Sequence, residues 1–322
     1  MQTRALRPAR LHKITRGEPG RYSRRVPSSI RIRVPAKVNL HLGVGAVRPD
    51  GFHELVTVFH AVDLFDEVVA TPAPALSLTL RGDVDGVPSD AQNLAWRAAV
   101  LLASHAGVRP DVALEIIKAI PVAGGMAGGS ADAAATLVAC ATLWNVPSAD
   151  LPALAAELGS DVAFPLLGGT ALGTGRGEVL TSVPMTEALH WVFALADHGI
   201  STAEAFREID RQREAEAAPP ALDAEPLLTA LRTGSPQAVA AVLHNDLQPA
   251  ALTLAPALAD TLRAGEKHGA LAGIVSGSGP TCAFLCADAD DAMKLAAALR
   301  AEGVGRATRV ASGPTPGATR VG

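Results

Sequence analysis

Four glycines within six residues, Gly124, Gly125, Gly128 and Gly129, separate an alternating apolar segment from a strong helical run, and Ser130 follows them directly. Glycine lets backbone N–H groups converge on one point with no side chains in the way. A helix beginning there adds unpaired amides and the positive end of a dipole, a combination that attracts phosphate. The stretch Pro121, Val122, Ala123, Gly124, Gly125, Met126, Ala127, Gly128, Gly129, Ser130 and Ala131 is therefore a candidate phosphate cradle. It is not a Walker A loop, because Gly129 stands where the lysine before Ser130 would be required, and it lacks the G-x-G-x-x-G spacing of dinucleotide sites. The same composition also suits a plain flexible turn ahead of an alanine-rich helix.

Other residues with chemical potential are few. Lys37 and Asn39 alternate with Val38, Leu40 and Leu42 on a strand pattern, which sets them on the opposite face from the apolar residues. Asp161 follows Gly159 and Ser160 and is suited to chemistry or to capping a helix. A second glycine loop holds Gly277, Ser278 and Gly279. Only 3% of residues are aromatic against 48% hydrophobic, so the core is built from Ala, Val and Leu, and Phe52, Phe59 and Phe206 stand out.

At 322 residues the chain is long enough for two domains. The net charge of −4 divides unevenly. The first 33 residues carry ten Lys and Arg against the single acid Glu18, a net +9, leaving −13 for the rest. An acidic body argues against nucleic acid as a ligand. Residues 1–29 lack apolar periodicity and read as a basic, disordered extension. Cys140, Cys282 and Cys286 show no metal-ligand spacing, which suits reduced thiols in a cytoplasmic protein. No apolar run approaches the roughly 18 residues of a membrane span.

Periodicity predicts strands over residues 30–34, 37–44, 55–69, 76–80 and 111–120, and helices over 93–104, 130–143 and 150–158, with a return strand from 169. Beyond residue 185 it predicts strands at 190–196, 271–275, 281–286 and 306–311, helices at 202–215 and 290–302, and a helix start at Ser235-Pro236 with a capping serine and proline in the first turn. Residues 216–226 read as a loose connection. Setting aside inserted helices, the second half has the order β-α-β-β-α-β, a ferredoxin-like split unit.

The order and spacing of segments 35–53, 121–131 and 273–281 resemble the three motifs of the GHMP kinase superfamily of small-molecule phosphotransferases. Pro35-Ala-Lys-Val-Asn-Leu-His-Leu, with Arg48-Pro-Asp-Gly-Phe-His-Glu-Leu55 after it, resembles the branch that phosphorylates a cytidine-diphosphate-linked methylerythritol on the route to isoprenoids. The resemblance implies an α+β, two-domain fold. Residues 30–185 would form an ATP-binding domain like the second domain of ribosomal protein S5, and residues 186–322 a ferredoxin-like domain on the substrate side. It implies ATP and Mg2+ as cofactors, Lys37 and Asp161 as the catalytic pair, and Asn93 and Lys118 beside the adenine. Ser130 would reach Mg2+ or phosphate. Asn39, Phe52, His53, Phe59, Phe206 and the loop Gly277, Ser278, Gly279 would contact the second substrate, with His53 on the cytosine edge and the aromatic rings stacking on the base. His244-Asn-Asp-Leu247 reads as structural support, with Gln248 where the family usually has Glu. A sibling kinase with another alcohol substrate, a non-catalytic ligand sensor on the same fold, and a nucleic-acid binder using the basic arm are the competing readings.

Overall fold

The computed structural model describes residues 29–122, 124–215 and 219–322. The extension expected over residues 1–29 lies outside them except for Ser29, as does Ala123 of the glycine loop.

The first half begins with two long antiparallel strands, β1 (Ile30–Val47) and β2 (His53–Pro72). The two strands expected at 30–34 and 37–44 are one. The pairing register shifts between Pro35 and Ala36, where proline lacks an N–H for the ladder, so the strand bends instead of ending. Next come β3 (Ser77–Gly82), α1 (Leu94–Ala106), β4 (Val112–Lys118), α2 (Gly128–Trp144), α3 (Leu151–Leu158), α4 (Ala163–Leu167), β5 (Thr170–Thr174) and β6 (Val179–Ser182). Asn93 caps α1 by accepting from the Ala95 amide, and Gly107 ends it in the left-handed conformation.

The second half contains β7 (Leu189–Leu195), α5 (Thr202–Ala215), α6 (Glu225–Thr233), α7 (Pro236–Ala240), β8 (His244–Asn245), α8 (Gln248–Leu254), α9 (Ala257–Lys267), β9 (Ala272–Val275), β10 (Cys282–Cys286), α10 (Ala289–Ala301), β11 (Ala307–Gly313) and β12 (Thr319–Arg320). Its four-stranded antiparallel sheet runs β11-β7-β10-β9. In sequence order that is 4-1-3-2, the arrangement of the split unit anticipated from the sequence. The connection expected to be loose through 226 already turns helical at Glu225.

The larger sheet has the order β12-β1-β2-β4-β3, with β5 on β2, β6 on β5 and β8 on β1. Two strands from beyond residue 185, β8 and β12, thus pair with the first strand of the chain. The shared core explains why. Alternate residues of β7 point to opposite sides of its sheet. Trp191 and Phe193 join the main core with Val38, Ile116 and Leu137, while Val192 and Ala194 pack with Leu258, Phe284 and Leu295. Helix α2 is buried through Ala131, Ala133, Ala134 and Ala135, and these small side chains let its backbone lie close to β1 and β2.

One polar cluster is enclosed beside this core. The Lys118 ammonium donates to Asp66 and, at 2.7 Å, to Asp132, and all three side chains are buried. Asp66 also accepts from the amides of Ala119 and Ile120 at 2.6 and 2.8 Å, which fixes the exit of β4 toward the glycine loop. Burial, together with the neighbouring Asp66, pushes the Asp132 carboxyl well above the ordinary range against the pull of Lys118. Burial alone would depress Lys118, but the two carboxylates outweigh it and hold its ammonium above 10.5. Lys118→Met leaves two carboxyl groups facing each other without a cation. Chemical denaturation should show a loss of about 3–5 kcal/mol, and a loss below about 1 kcal/mol would show that the cluster does not brace the fold.

Candidate active site

A cavity of about 1150 Å³ opens between the two halves of the chain. The glycine loop and the start of α2 form one wall. Gly125 and Ala127 adopt positive φ (71° and 58°), and the helix begins at Gly128, earlier than the sequence predicts. Ser130 is therefore in the first turn and is not the cap. The cap is Ala127, whose side chain makes no capping bond, and no acidic residue lies in the first turn. Among the described residues, the leading amides of α2 thus have no intrahelical or side-chain acceptor, which is the arrangement an anion needs.

The second glycine loop closes against the first. Ser276 Oγ donates to the Gly125 carbonyl at 3.1 Å, and a Cβ on Gly125 would collide with the Ser276 carbonyl. Asn245 holds that second loop from behind, its Nδ2 donating to the carbonyls of Val275 and Gly277 at 2.8 Å each. Gln248 Oε1 accepts from the Val275 amide at 2.8 Å, so glutamine serves as a brace here. The supporting role read for residues 244–247 agrees with the Asn245 contacts, and Gln248, where the family usually has Glu, adds to them.

Lys37 lies between the two loops. Its backbone amide donates to the Met126 carbonyl at 3.3 Å, and a Cβ on Gly277 would sit 3.2 Å from its Nζ. The ammonium donates to Asn39 Oδ1 at 2.6 Å and stands 3.6 Å from Asp161 Oδ2. Asn39 is oriented in turn by donating to Thr57 Oγ1 at 2.8 Å, and the Thr57 hydroxyl donates to the His41 carbonyl at 2.8 Å. From Val34 to Gly45 both faces of β1 are buried, because the second half of the chain covers the polar one, while Arg31 and Arg33 stay exposed. Burial lowers the Lys37 pKa from 10.5, and the Asp161 carboxylate opposes that shift. Asp161 does not cap α4, whose cap is Val162, and it keeps 40% of its side chain exposed to the cavity.

The far end of the cavity is aromatic. His53 stacks on Phe206 with ring centroids 4.9 Å apart, and its Nε2 lies 2.9 Å from Asp210 Oδ1. Phe52 is half exposed, with the Arg176 guanidinium 4.9 Å above its ring. Phe59 contributes to the cavity wall but is 2% exposed and stacks on Phe164, so its chief role is packing. Gly173 and Gly177 leave room for its ring.

Asn93 and Lys118 line the cavity with their polar atoms already engaged. Asn93 accepts from the Ala95 amide and donates to the Pro88 carbonyl, and Lys118 is held by its two carboxylates. Sequence reasoning missed Asp210, Arg176 and Arg207, all of which line the cavity. Asp210 lies four residues after Phe206 on α5, so helical spacing alone pointed to it.

The sequence matches the GHMP kinases N terminal domain family over residues 93–169 and the GHMP kinases C terminal family over residues 227–305. It is 60% identical over 296 residues to the 4-diphosphocytidyl-2-C-methyl-D-erythritol kinase of Mycolicibacterium gilvum, covering 90% of this chain and 92% of that protein. The chain belongs to the GHMP kinase family. Within that family, the enzyme of the same name from Mycobacterium tuberculosis is 57% identical over 293 residues, with the same coverage of both chains. A crystal structure of a 4-(cytidine 5'-diphospho)-2C-methyl-D-erythritol kinase superposes with a TM-score of 0.70 at 34% identity, over 87% of this chain and 98% of the other. A homoserine kinase from Cytophaga hutchinsonii shares the GHMP kinase fold, with a TM-score of 0.71 at 20% identity over 93% of this chain and 99% of that one.

The Lys37–Asp161 contact is directly testable. The carboxylate raises the Lys37 pKa against burial, so Asp161→Asn should move the Lys37 titration to lower pH than in the unaltered protein, read from the Nζ resonance by 15N NMR. An unchanged or higher titration point would mean that Asp161 does not face the ammonium in solution.

Proposed function

We infer that this GHMP kinase transfers the γ-phosphoryl group of ATP to the 2-hydroxyl of 4-diphosphocytidyl-2-C-methyl-D-erythritol, a step of the methylerythritol phosphate route to isoprenoid precursors. The observation that carries this reading is the Lys37–Asp161 pair beneath the two glycine loops, in one cavity with the His53–Phe206 aromatic end. The 57–60% identity to enzymes of that name supports the choice of substrate.

Phosphoryl transfer asks the protein mainly for positioning and charge stabilisation. The free amides at the start of α2 and the loop 121–131 hold the ATP phosphates. Gly277, Ser278 and Gly279 face them across the cavity and approach the second substrate. Asp161 accepts the hydrogen bond of the attacking hydroxyl and orients its oxygen toward phosphorus. Lys37 places its ammonium where charge develops between that oxygen and the transferred group. At the other end the cytosine stacks beside Phe52 and Phe206, with His53 at its edge.

Among the described residues, no group of three or more His, Cys, Asp or Glu is arranged to cage a metal. The Ser130 hydroxyl in the first turn of α2 would be the protein ligand of Mg2+ carried by the ATP phosphates and water. Bound in that way, Mg2+ would neutralise phosphate charge and draw electrons from phosphorus. The three cysteines are buried and unpaired, which supports a cytoplasmic setting. No helix among the described residues is long and apolar enough to cross a membrane. Lys37 and Asp161 are both present and in contact, which favours an enzyme over a ligand sensor.

The reading is tested by ADP release from ATP and Mg2+ with 4-diphosphocytidyl-2-C-methyl-D-erythritol, alongside mevalonate, homoserine and galactose. Activity confined to the cytidine substrate is expected, and activity on another alcohol would overturn the substrate assignment. Asp161→Ala should lower kcat by about 10²- to 10⁴-fold with little change in ATP affinity, so near-normal turnover would remove Asp161 from the mechanism. Phe206→Ala should raise KM for the cytidine substrate by roughly 5- to 150-fold while leaving KM for ATP unchanged. An unchanged KM for the cytidine substrate would sink the stacking assignment.

A further inference from the structure

Asp210 is the partner of the one histidine at the aromatic end of the cavity, and its geometry constrains what that histidine can recognise. The carboxylate Oδ1 lies 2.9 Å from His53 Nε2, and the His53 side chain is 9% exposed against 42% for Asp210. A carboxylate only accepts, so a neutral His53 carries its proton on Nε2 and keeps a lone pair on Nδ1. Phe206 stacks on one face of the ring and fixes its plane, and the 2.9 Å contact with Asp210 sets which nitrogen faces the carboxylate. Phe206 and Asp210 are four residues apart on α5, so one helix face both stacks on the imidazole and sets its tautomer.

We propose that Asp210 is a specificity-determining positioning residue: it holds His53 as the Nε2–H tautomer, so that Nδ1 accepts from the exocyclic amine of cytosine and rejects the carbonyl that uracil presents at the same position. The inference rests on the cytidine reading of the cavity and adds the reason for base choice. Stacking on Phe52 and Phe206 tolerates either pyrimidine, since every base has a π face. Discrimination must come from a polar group with a fixed donor or acceptor sense. A site committed to a hydrogen bond rejects the ligand that cannot make it more strongly than an apolar pocket does. Asn at this position would lose that commitment, because a carboxamide can donate to an unprotonated Nε2 as readily as it can accept from Nε2–H.

The test uses CDP and UDP as probes of the full-length protein, with ATP as the control ligand. In the unaltered protein, 15N NMR of His53 should show the proton on Nε2, and CDP should bind more tightly than UDP. Asp210→Asn should reduce the CDP-to-UDP affinity ratio by about tenfold or more, with ATP affinity and thermal midpoint unchanged, and Asp210→Glu should restore part of the ratio. If Asp210→Asn weakens CDP and UDP equally, or leaves the ratio intact, Asp210 is only structural and the proposal fails while the cytidine reading stands. A proton on Nδ1 in the unaltered protein also overturns the proposal. No preference for CDP, with the tautomer as expected, overturns the cytidine reading and this proposal together.

Discussion

The approach of two glycine loops over one buried ammonium governs the rest of this molecule. Lys37 is 5% exposed, and removing a lysine charge from water is costly unless partners replace the lost solvation. Asn39 and Asp161 supply those partners from one side, and the second glycine loop closes over the ammonium at Gly277. The loops can come so close only because Gly125 and Gly277 carry no side chains at the contact. Any residue with a Cβ at Gly125 would push the second loop away from the first and open the ammonium to water. The two halves of the chain are therefore held at the distance at which a phosphate and an alcohol can meet.

The charges around the cavity show a division of labour. Lys118 is committed to Asp66 and Asp132, and this cluster fixes the strand end from which the phosphate loop departs. A Cβ on Gly128 would lie 3.2 Å from the Lys118 ammonium, so a positive charge sits directly beneath the start of α2 without blocking its amides. Lys37 is buried, and its partner Asp161 keeps 40% of its side chain exposed to the cavity. Arg207 is exposed at the cavity rim, whereas Arg176 pairs with Glu178 at 3.6 Å and lies over the Phe52 ring. An acidic protein can bind two polyphosphate ligands in this way because backbone amides and a few placed cations carry the attraction.

Much of this arrangement was legible in the sequence, and the unread parts share a cause. The glycine run, the alternation around Lys37 and the β-α-β-β-α-β order of the second half are local patterns, and their elements formed close to the expected positions. The register shift at Pro35 was visible as a break and misread as a strand end, because a bulge and a terminus look alike without the partner strand. Helices α6, α8 and α9 were missed in alanine- and proline-rich sequence whose apolar faces become distinct only when packed. The buried ion pairs of Lys118 could not be read from the sequence, because its carboxylates lie 52 and 14 residues away. The resemblance to the GHMP kinases pointed to many residues that line the cavity and to a supporting role for residues 244–247, but not to the contacts made by Asp210 or to the carbonyls that Asn245 holds. Those depend on where α5 and β8 come to rest.

The claim that Lys37 and Asp161 act as one unit is tested most directly by a double-mutant cycle on kcat. It compares Lys37→Met, Asp161→Asn and the double variant under saturating ATP and alcohol. The structure predicts strong non-additivity, with the double variant no slower than the slower single variant, because each residue needs the other to place charge at the reacting oxygen. Additive losses, with the double variant slower by the product of the two single effects, would show that the residues act independently and would contradict this account of the site.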